Sequence, residues 1–404
     1  MDKETPKKPS AKPSRIMIIA GEASGDLHGG GLAEALLAQN RPVELIGFGG
    51  QAMRKAGVDV HFDIEKLGIV GLIEVLFQLR VLWQAYQSAV KLLKEGINLL
   101  VLIDFSGFNL RVAKAAKKLD IPVVYYVSPQ VWAWRASRVK TIAKYVDQMI
   151  VILPFEKAIY DKARVPCAFV GHPLLDELVH IKKNRQEEKK ALPKQAPPAI
   201  ALLPGSRKRE VLSLLPVMLS AMEQLQEAFP ELRVLIPVAS SLPEALIPEL
   251  IADSSLPITL VKGTVYDVFF DADIAVVASG TATLQGALAG IPMIVVYKIS
   301  WLSYTLAKYL IHVKAISLAN IVADDPFIPE LIQDDASAAR IANEVQHLLK
   351  DKAASEKMKQ NLSQVASRLG SAGASDRAAK IIFRVLDEQM QRQKPAAAIS
   401  GPLS

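Results

Sequence analysis

Cysteine is almost absent. A single residue, Cys167, in a chain of 404 cannot close an internal disulfide, and no Cys/His cluster has the spacing of a zinc site. That usage reads as a reducing compartment. Aromatic residues are scarce at 6%, and no basic stretch is interleaved with stacking rings, so no nucleic-acid partner is expected. Long apolar runs are missing too. The longest, Leu67 to Trp83, is broken by Glu74, Gln78 and Arg80, which is not a clean membrane span. The first fourteen residues hold four Lys and three Pro but no apolar h-region. They read as a disordered, solvated tail and not as a signal peptide.

Core material and positive charge are plentiful. Hydrophobic residues make up 50% of the chain and charged ones 22%, and 48 Lys+Arg against 41 Asp+Glu leave a net charge of +7. The surplus favours anionic partners such as nucleotides, phosphorylated substrates or acidic lipid head groups.

Short Val/Ile-rich runs alternate with helical patterns. The clearest strands are Arg15–Ala20, Leu99–Asp104, Pro122–Val127, Gln148–Leu153, Ala199–Leu203, Arg233–Val238, Ile274–Ala278 and Met293–Tyr297. The alternation predicts α/β domains with parallel sheets. The charged segment Ile181–Pro198, ending in proline, predicts the linker. The expected parts are an N-terminal domain over 15–190, a C-terminal domain over 191–372 and a last helix over 373–392. Disordered tails are expected over 1–14 and 393–404. Two doubly wound domains facing each other would form a cleft at the carboxyl ends of both sheets.

Two loops in the second half have the composition of a phosphate cradle. Gly205, Ser206 and Arg207 follow one strand and combine close backbone approach, a hydroxyl and a guanidinium fork. Ser279, Gly280, Thr281, Ala282 and Thr283 follow another and precede a helix whose N-terminus suits an anion. Each loop alone can be a turn with an N-cap; two in one half favour the cradle. No GxxxxGK[ST] occurs, and the glycines of GEASGDLHGGG do not fit GxGxxG.

In the first half, Asp104 closes an apolar strand and either acts as a desolvated general base or caps the next helix. Glu22 is either a second acid/base or a partner for the N–H groups of its own loop. His28 is a helix-face or ligand-contact residue. Arg135, Arg138 and Lys140 cluster beside Trp132 and Trp134, which suits an anionic, partly apolar ligand or a solvated helix start. On a helical wheel Arg80, Gln84, Gln87, Lys91 and Lys94 share one polar face. Ahead of them Leu72, Ile73, Leu76 and Phe77 are either buried or an exposed lipid-binding patch. Trp301–Lys314 is a second amphipathic stretch with the same two readings.

Taken in order, AGEASGD (20–26), LVLIDFSGFN (100–109), YVSPQVWAWR (126–135), LPFEKAIYDK (153–162), VPCAFVGHPLLD (165–176), LLPGSRKREV (202–211), ASGTATLQGAL (278–288) and SLAN (317–320) resemble the lipid-A-disaccharide synthases. These are family 19 glycosyltransferases of the GT-B type. The resemblance implies two Rossmann-like domains with a cleft and a C-terminal helix returning to the N-terminal domain. It implies an inverting reaction of UDP-2,3-diacylglucosamine with 2,3-diacylglucosamine 1-phosphate that yields the β-1′,6 disaccharide 1-phosphate and UDP. Asp104 would be the base, with Glu22 as a second catalytic candidate. Gly205–Arg207, Ser279–Thr283 and Gln285 would hold the donor. Candidate acceptor and lipid contacts are Ser24, His28, Asn109, Trp132, Arg135, Leu72, Leu76, Phe77 and Asn320. No metal or other cofactor is expected, since Arg207 and backbone dipoles can take up the charge of the leaving diphosphate and no DxD motif ends a strand. The implied setting is the cytoplasmic face of a Gram-negative inner membrane, with its phospholipid surface as a partner and a homodimer left open. Rival readings are a soluble UDP-sugar epimerase, a GT-B transferase with a non-lipid acceptor, and a non-catalytic nucleotide-binding protein.

Two departures from the family pattern stand out. Gly107 replaces a second Asp that members often carry three residues after the base. Gln285 replaces a frequent Glu, which predicts weaker nucleotide binding or a shifted partner.

Overall fold

A computed structural model describes residues 13–64, 74–133, 137–188, 197–239, 241–299 and 315–393. They fall into two compact units, one within 1–173 and 373–404, the other within 174–372.

The first unit is built on strands β1 (Ser14–Ile19), β2 (Val43–Gly49), β3 (Asp59–Asp63), β4 (Leu99–Ile103), β5 (Val123–Tyr126), β6 (Gln148–Val151) and β7 (Cys167–Phe169). They form one parallel sheet in the order β3-β2-β1-β4-β5-β6-β7. Parallel pairing requires a crossover after each strand, and helices cover both faces of such a sheet. That is why β4 reads LLVLI without alternation: all five side chains are buried. Strand order reverses between β1 and β4. A ligand crevice is expected there, outside the carboxyl ends of those two strands.

The second unit repeats the plan with β8 (Ala199–Leu203), β9 (Arg233–Pro237), β10 (Ile258–Val261), β11 (Ile274–Ala278), β12 (Met293–Tyr297) and β13 (Glu330–Ile332), ordered β10-β9-β8-β11-β12-β13. Its reversal lies between β8 and β11.

All eight expected strands are present, with ends shifted by up to two residues. Five more were not expected. Among these, β3, β7 and β13 are short and half-exposed. β2 hides behind its glycines, since a Cβ on Gly47 would lie 1.8 Å from the Ile18 carbonyl oxygen of the neighbouring strand.

The expected linker needs correction. Ile181–Glu188 continues the helix Leu174–Glu188, and the units part at Pro173/Leu174 rather than at 190/191. Leu174 and Leu178, both buried and four residues apart, anchor that helix. The charge run therefore continues a helix. Residues 189–196 lie outside the described ones.

The last helix, Ala374–Gln393, belongs to the first unit. Ala378, Ala379, Ile382, Phe383 and Leu386 are buried. Ser375 lies against Gly31 of the helix Ala23–Leu37. Asp387 accepts a fork of hydrogen bonds from Arg41 at 2.6 and 3.0 Å. Arg384 and Gln389 donate to Gln148 and Asp120.

Candidate active site

The first-unit candidates follow the two strands that flank the reversal. Glu22 comes after β1 at the N-cap of the helix Ala23–Leu37, and its side chain makes no capping bond. Asp104 comes after β4. It does not cap the following helix Ser106–Lys117, whose N-cap is Phe105.

Asp104 and Phe105 both take left-handed backbone, at φ +44° and +42°, and Val127 after β5 does so at +63°. Non-glycine residues pay of order 1–3 kcal/mol for such conformations, which persist only where the surroundings enforce them. The enforcing contacts are visible. Asn109 Nδ2 donates to the carbonyls of Ile103 (3.1 Å) and Asp104 (2.8 Å). The Tyr125 hydroxyl donates to the Asp104 carbonyl as well. Gly21 completes the arrangement: a Cβ there would fall 2.2 Å from the Phe105 ring. Only a bare backbone lets that ring lie against the loop carrying Glu22, which brings the two carboxylates together.

Burial is the main cause that raises the Asp104 carboxyl to about 6, the negative charge of Glu22 raises it further, and the Phe105 N–H pulls it back. A carboxylate in that state is ionised at neutral pH yet unusually willing to take a proton.

Behind it lies a buried polar group that the sequence reading did not single out. Glu156 is 2% exposed and accepts from the Leu153 N–H at 3.3 Å. Burial pushes it up to about 8, the Leu153 N–H and the nearby Trp132 and Ser128 side chains oppose that rise, and the Asp104 charge adds to it. Ser128 also shares a 2.6 Å bond with the hydroxyl of buried Tyr160.

His28 faces His172 edge to face at 6.4 Å between ring centroids. Burial lowers them to about 4 and about 3, and the His28 ring disfavours charge on His172 further. Both are neutral at pH 7. His172 lies in the segment VPCAFVGHPLLD, but its meeting with His28 depends on tertiary packing.

Two expected ligand contacts are buried in structural roles. Asn109 is fully buried; it shapes the Asp104 turn and has no face for an acceptor. Asn320 is also buried. Its amide donates to Ile328 and Glu330 while its oxygen accepts from the Phe327 and Ile328 N–H groups, so every polar position is taken up by one loop. Asp26 accepts from the N–H groups of Gly50, Ala52 and Met53 and caps the helix Gln51–Lys55. Ser24 is exposed on the first turn of its helix. Trp132 packs edge-on to Phe155 at 5.3 Å. Leu72 and Arg135 lie outside the described residues, as do Ile73, Trp134 and Trp301–Lys314. Leu76 and Phe77 are on the helix Glu74–Lys94, but their side chains lie outside the described ones. Later on that helix, Arg80, Gln84, Gln87, Lys91 and Lys94 are exposed on the polar face as expected.

In the second unit both glycine loops flank the β8/β11 reversal. Gly205 takes φ +112°, and Glu210 occupies the space a Cβ would need. Glu210 also accepts from Arg207 at 3.3 Å, while the Arg207 side chain remains 76% exposed. The carbonyl of Ser206 accepts from Ser241 at 2.9 Å. In the other loop, Ser279 donates to Ile316 and Thr283 to Gly280. Those hydroxyls, including buried Thr283, hold the loop's shape. Thr281 remains exposed at the start of the helix Thr281–Ala289, and a Cβ on Gly280 would meet nothing within 4 Å. The opening at this helix end leaves N–H groups and Thr281 available to an anion.

Gln285, on that same helix, lies close enough to Glu177 to act on its carboxyl. Burial raises the Glu177 carboxyl and the Gln285 amide lowers it. A carboxylate therefore stands beside position 285, supplied by the helix Leu174–Glu188. Among the described residues, no group of three or more His, Cys, Asp or Glu is placed to hold a metal ion, and no helix is long and apolar enough to cross a membrane.

The family model described as lipid-A-disaccharide synthetase matches residues 16–382. A lipid-A-disaccharide synthase from Geobacter sulfurreducens is 43% identical over 380 residues, which cover 93% of this chain and 98% of the relative. The chain belongs to the lipid-A-disaccharide synthase family. It is a glycosyltransferase of lipid A biosynthesis, and its substrates are in general terms a sugar nucleotide and lipid-linked sugars. Solved structures agree on a GT-B-like fold. A calicheamicin glycosyltransferase superposes with a TM-score of 0.61 at 15% identity, covering 93% of this chain and 99% of the other. The UDP-GlcNAc 2-epimerase of Neisseria meningitidis does so with 0.59 at 13%, covering 93% and 100%. Epimerases and transferases share this architecture, so the fold alone does not choose between them; sequence identity does.

Proposed function

We propose that the protein transfers the diacylglucosaminyl group of UDP-2,3-diacylglucosamine to the 6-hydroxyl of 2,3-diacylglucosamine 1-phosphate. The acceptor oxygen attacks the anomeric carbon of the donor as the bond from that carbon to the diphosphate oxygen breaks. The hydroxyl proton passes to Asp104, and the bonding pair leaves on UDP. One in-line displacement inverts the donor's α linkage to β and needs one base, not two.

The observation that carries this reading is the desolvated Asp104 carboxylate, raised to about 6 beside Glu22. A positioned base of that kind is worth about 10²–10⁴ in rate. Glu22 acts through its charge, keeping Asp104 basic. In the second unit, exposed Arg207 and the N-terminus of the helix Thr281–Ala289 suit the diphosphate. Their fixed positive potential favours the leaving group as its charge grows. The family relationship and the net positive charge also support work at the anionic, cytoplasmic face of the inner membrane.

Incubating the protein with both lipid substrates tests the reading: UDP and the disaccharide phosphate should appear together. Asp104→Asn should keep UDP binding and lose turnover by orders of magnitude, and retained turnover would remove Asp104 as base. Arg207→Ala should weaken UDP binding at least tenfold in calorimetry. Its exposure makes a folding defect an inadequate explanation of such a loss.

A further inference from the structure

Next to the base, a cavity of about 830 Å³ runs between the helices Glu74–Lys94 and Ser106–Lys117. Its floor is apolar, formed by Leu82, Trp83, Tyr86, Phe105, Phe108 and Ala115. Phe105 is the residue after Asp104, so the slot begins where the proton transfer is placed. From there it follows Gly107, Arg111, Lys114 and Lys118, spaced four, three and four residues apart along one helix face. At 1.5 Å per residue that stripe is about 16 Å long. Trp83 on the facing helix is 62% exposed, an unusual position for a large apolar side chain unless something covers it.

The rim is cationic and unpaired. Among the described residues, Arg111, Lys114 and Lys118 have no carboxylate partner, although Lys117 on the same helix is paired with Asp147 at 2.7 Å. A second hollow of about 420 Å³ shares Arg111 and Lys114 and adds Lys140 and Lys144. An apolar slot therefore borders a basic hollow along a ridge formed by Arg111 and Lys114. Charge complementarity calls for an anionic amphiphile: a hydrocarbon chain for the slot and a phosphate for the ridge.

We propose that this slot receives a fatty acyl chain of the phosphorylated acceptor sugar and that Arg111 and Lys114 bind its phosphate. The assignment rests on the reaction proposed above and adds the subsite that orients the acceptor against Asp104. Gly107 has a part in it. A Cβ at that position would meet nothing within 4 Å, so the missing side chain keeps the mouth of the slot open beside the base.

The test uses the full-length protein and Trp83 fluorescence. Titrating 2,3-diacylglucosamine 1-phosphate should shift the emission to the blue, and Trp83→Phe should abolish that shift. The double variant Arg111→Glu/Lys114→Glu should raise both Kd and KM for this lipid at least tenfold and leave UDP affinity unchanged. With the dephosphorylated lipid, the two proteins should differ less than threefold. Gly107→Phe, which places a ring in open space, should weaken lipid binding at least tenfold and leave the unfolding midpoint near that of the parent protein. Unchanged lipid affinity in either variant would overturn the proposal. So would a Trp83 shift with phosphatidylglycerol vesicles and none with dispersed acceptor lipid, which would assign this face to the bilayer. Absence of UDP release with the Trp83 response intact would count against the reaction and in favour of the slot.

Discussion

The side-chain amide of Asn109 holds the main-chain carbonyl of Asp104 at 2.8 Å. The residue five positions along the chain thus fixes the left-handed turn from which the carboxylate projects. Replacing Asn109 by Leu should leave the Ile103 and Asp104 carbonyls short of a buried donor, at a cost of about 1–3 kcal/mol. Chemical denaturation should show that loss, and kcat should fall with it while UDP affinity stays constant. A stable variant with full turnover would show that the turn is held by other contacts.

Protonation of Asp104 should set the acid limb of the rate profile. With the carboxyl near 6, kcat/KM should rise through that pH and level off above it. Glu22 disfavours the ionised form, so Glu22→Gln should move the limb to lower pH. A limb that stays in place would separate the two carboxylates electrostatically.

Glu156 offers a stability measurement. Its carboxyl is raised from an ordinary 4.5 to about 8 by burial, so the folded protein holds a proton that the unfolded chain releases. Stability attributable to this group is complete below about 4.5 and is lost as pH climbs toward 8. Glu156→Gln, neutral at every pH, should gain in melting temperature relative to the parent protein across that window. A constant difference between pH 5 and 8 would contradict the buried, protonated state.

Gln285→Glu should set two carboxylates against each other, because Glu177 already occupies the adjoining position. The single variant should lose stability or UDP affinity, and Glu177→Gln in the same chain should restore it. Contacting groups of this kind are expected to be non-additive by about 0.5–3 kcal/mol in a double-mutant cycle. Additive effects would mean that the two side chains do not communicate.

Buried strands were legible from sequence because both faces of a parallel sheet are covered, which gives β1, β4, β8 and β11 continuous apolar runs. The catalytic candidates were legible for a related reason: Asp104 and the two glycine loops interrupt such runs abruptly at the strand ends. Polar side chains that serve the backbone gave no comparable signal. Asn109, Asn320 and Thr283 have the composition of ligand contacts, and only their burial shows that they satisfy carbonyls and N–H groups. Nor does any local pattern announce Glu156, His172 or Glu177. Their neighbours are brought to them by tertiary packing.

The return of the helix Ala374–Gln393 to the first sheet has a practical consequence for dissecting the protein. No single cut in the polypeptide separates the halves, because the covering of the amino-terminal half is made from the opposite end of the chain. A fragment ending at Pro173 would present to water the surface now sealed by Ile382, Phe383 and Leu386. Isolating that half intact calls for splicing the terminal helix back on, and a ribosome completes this half last although it begins it first.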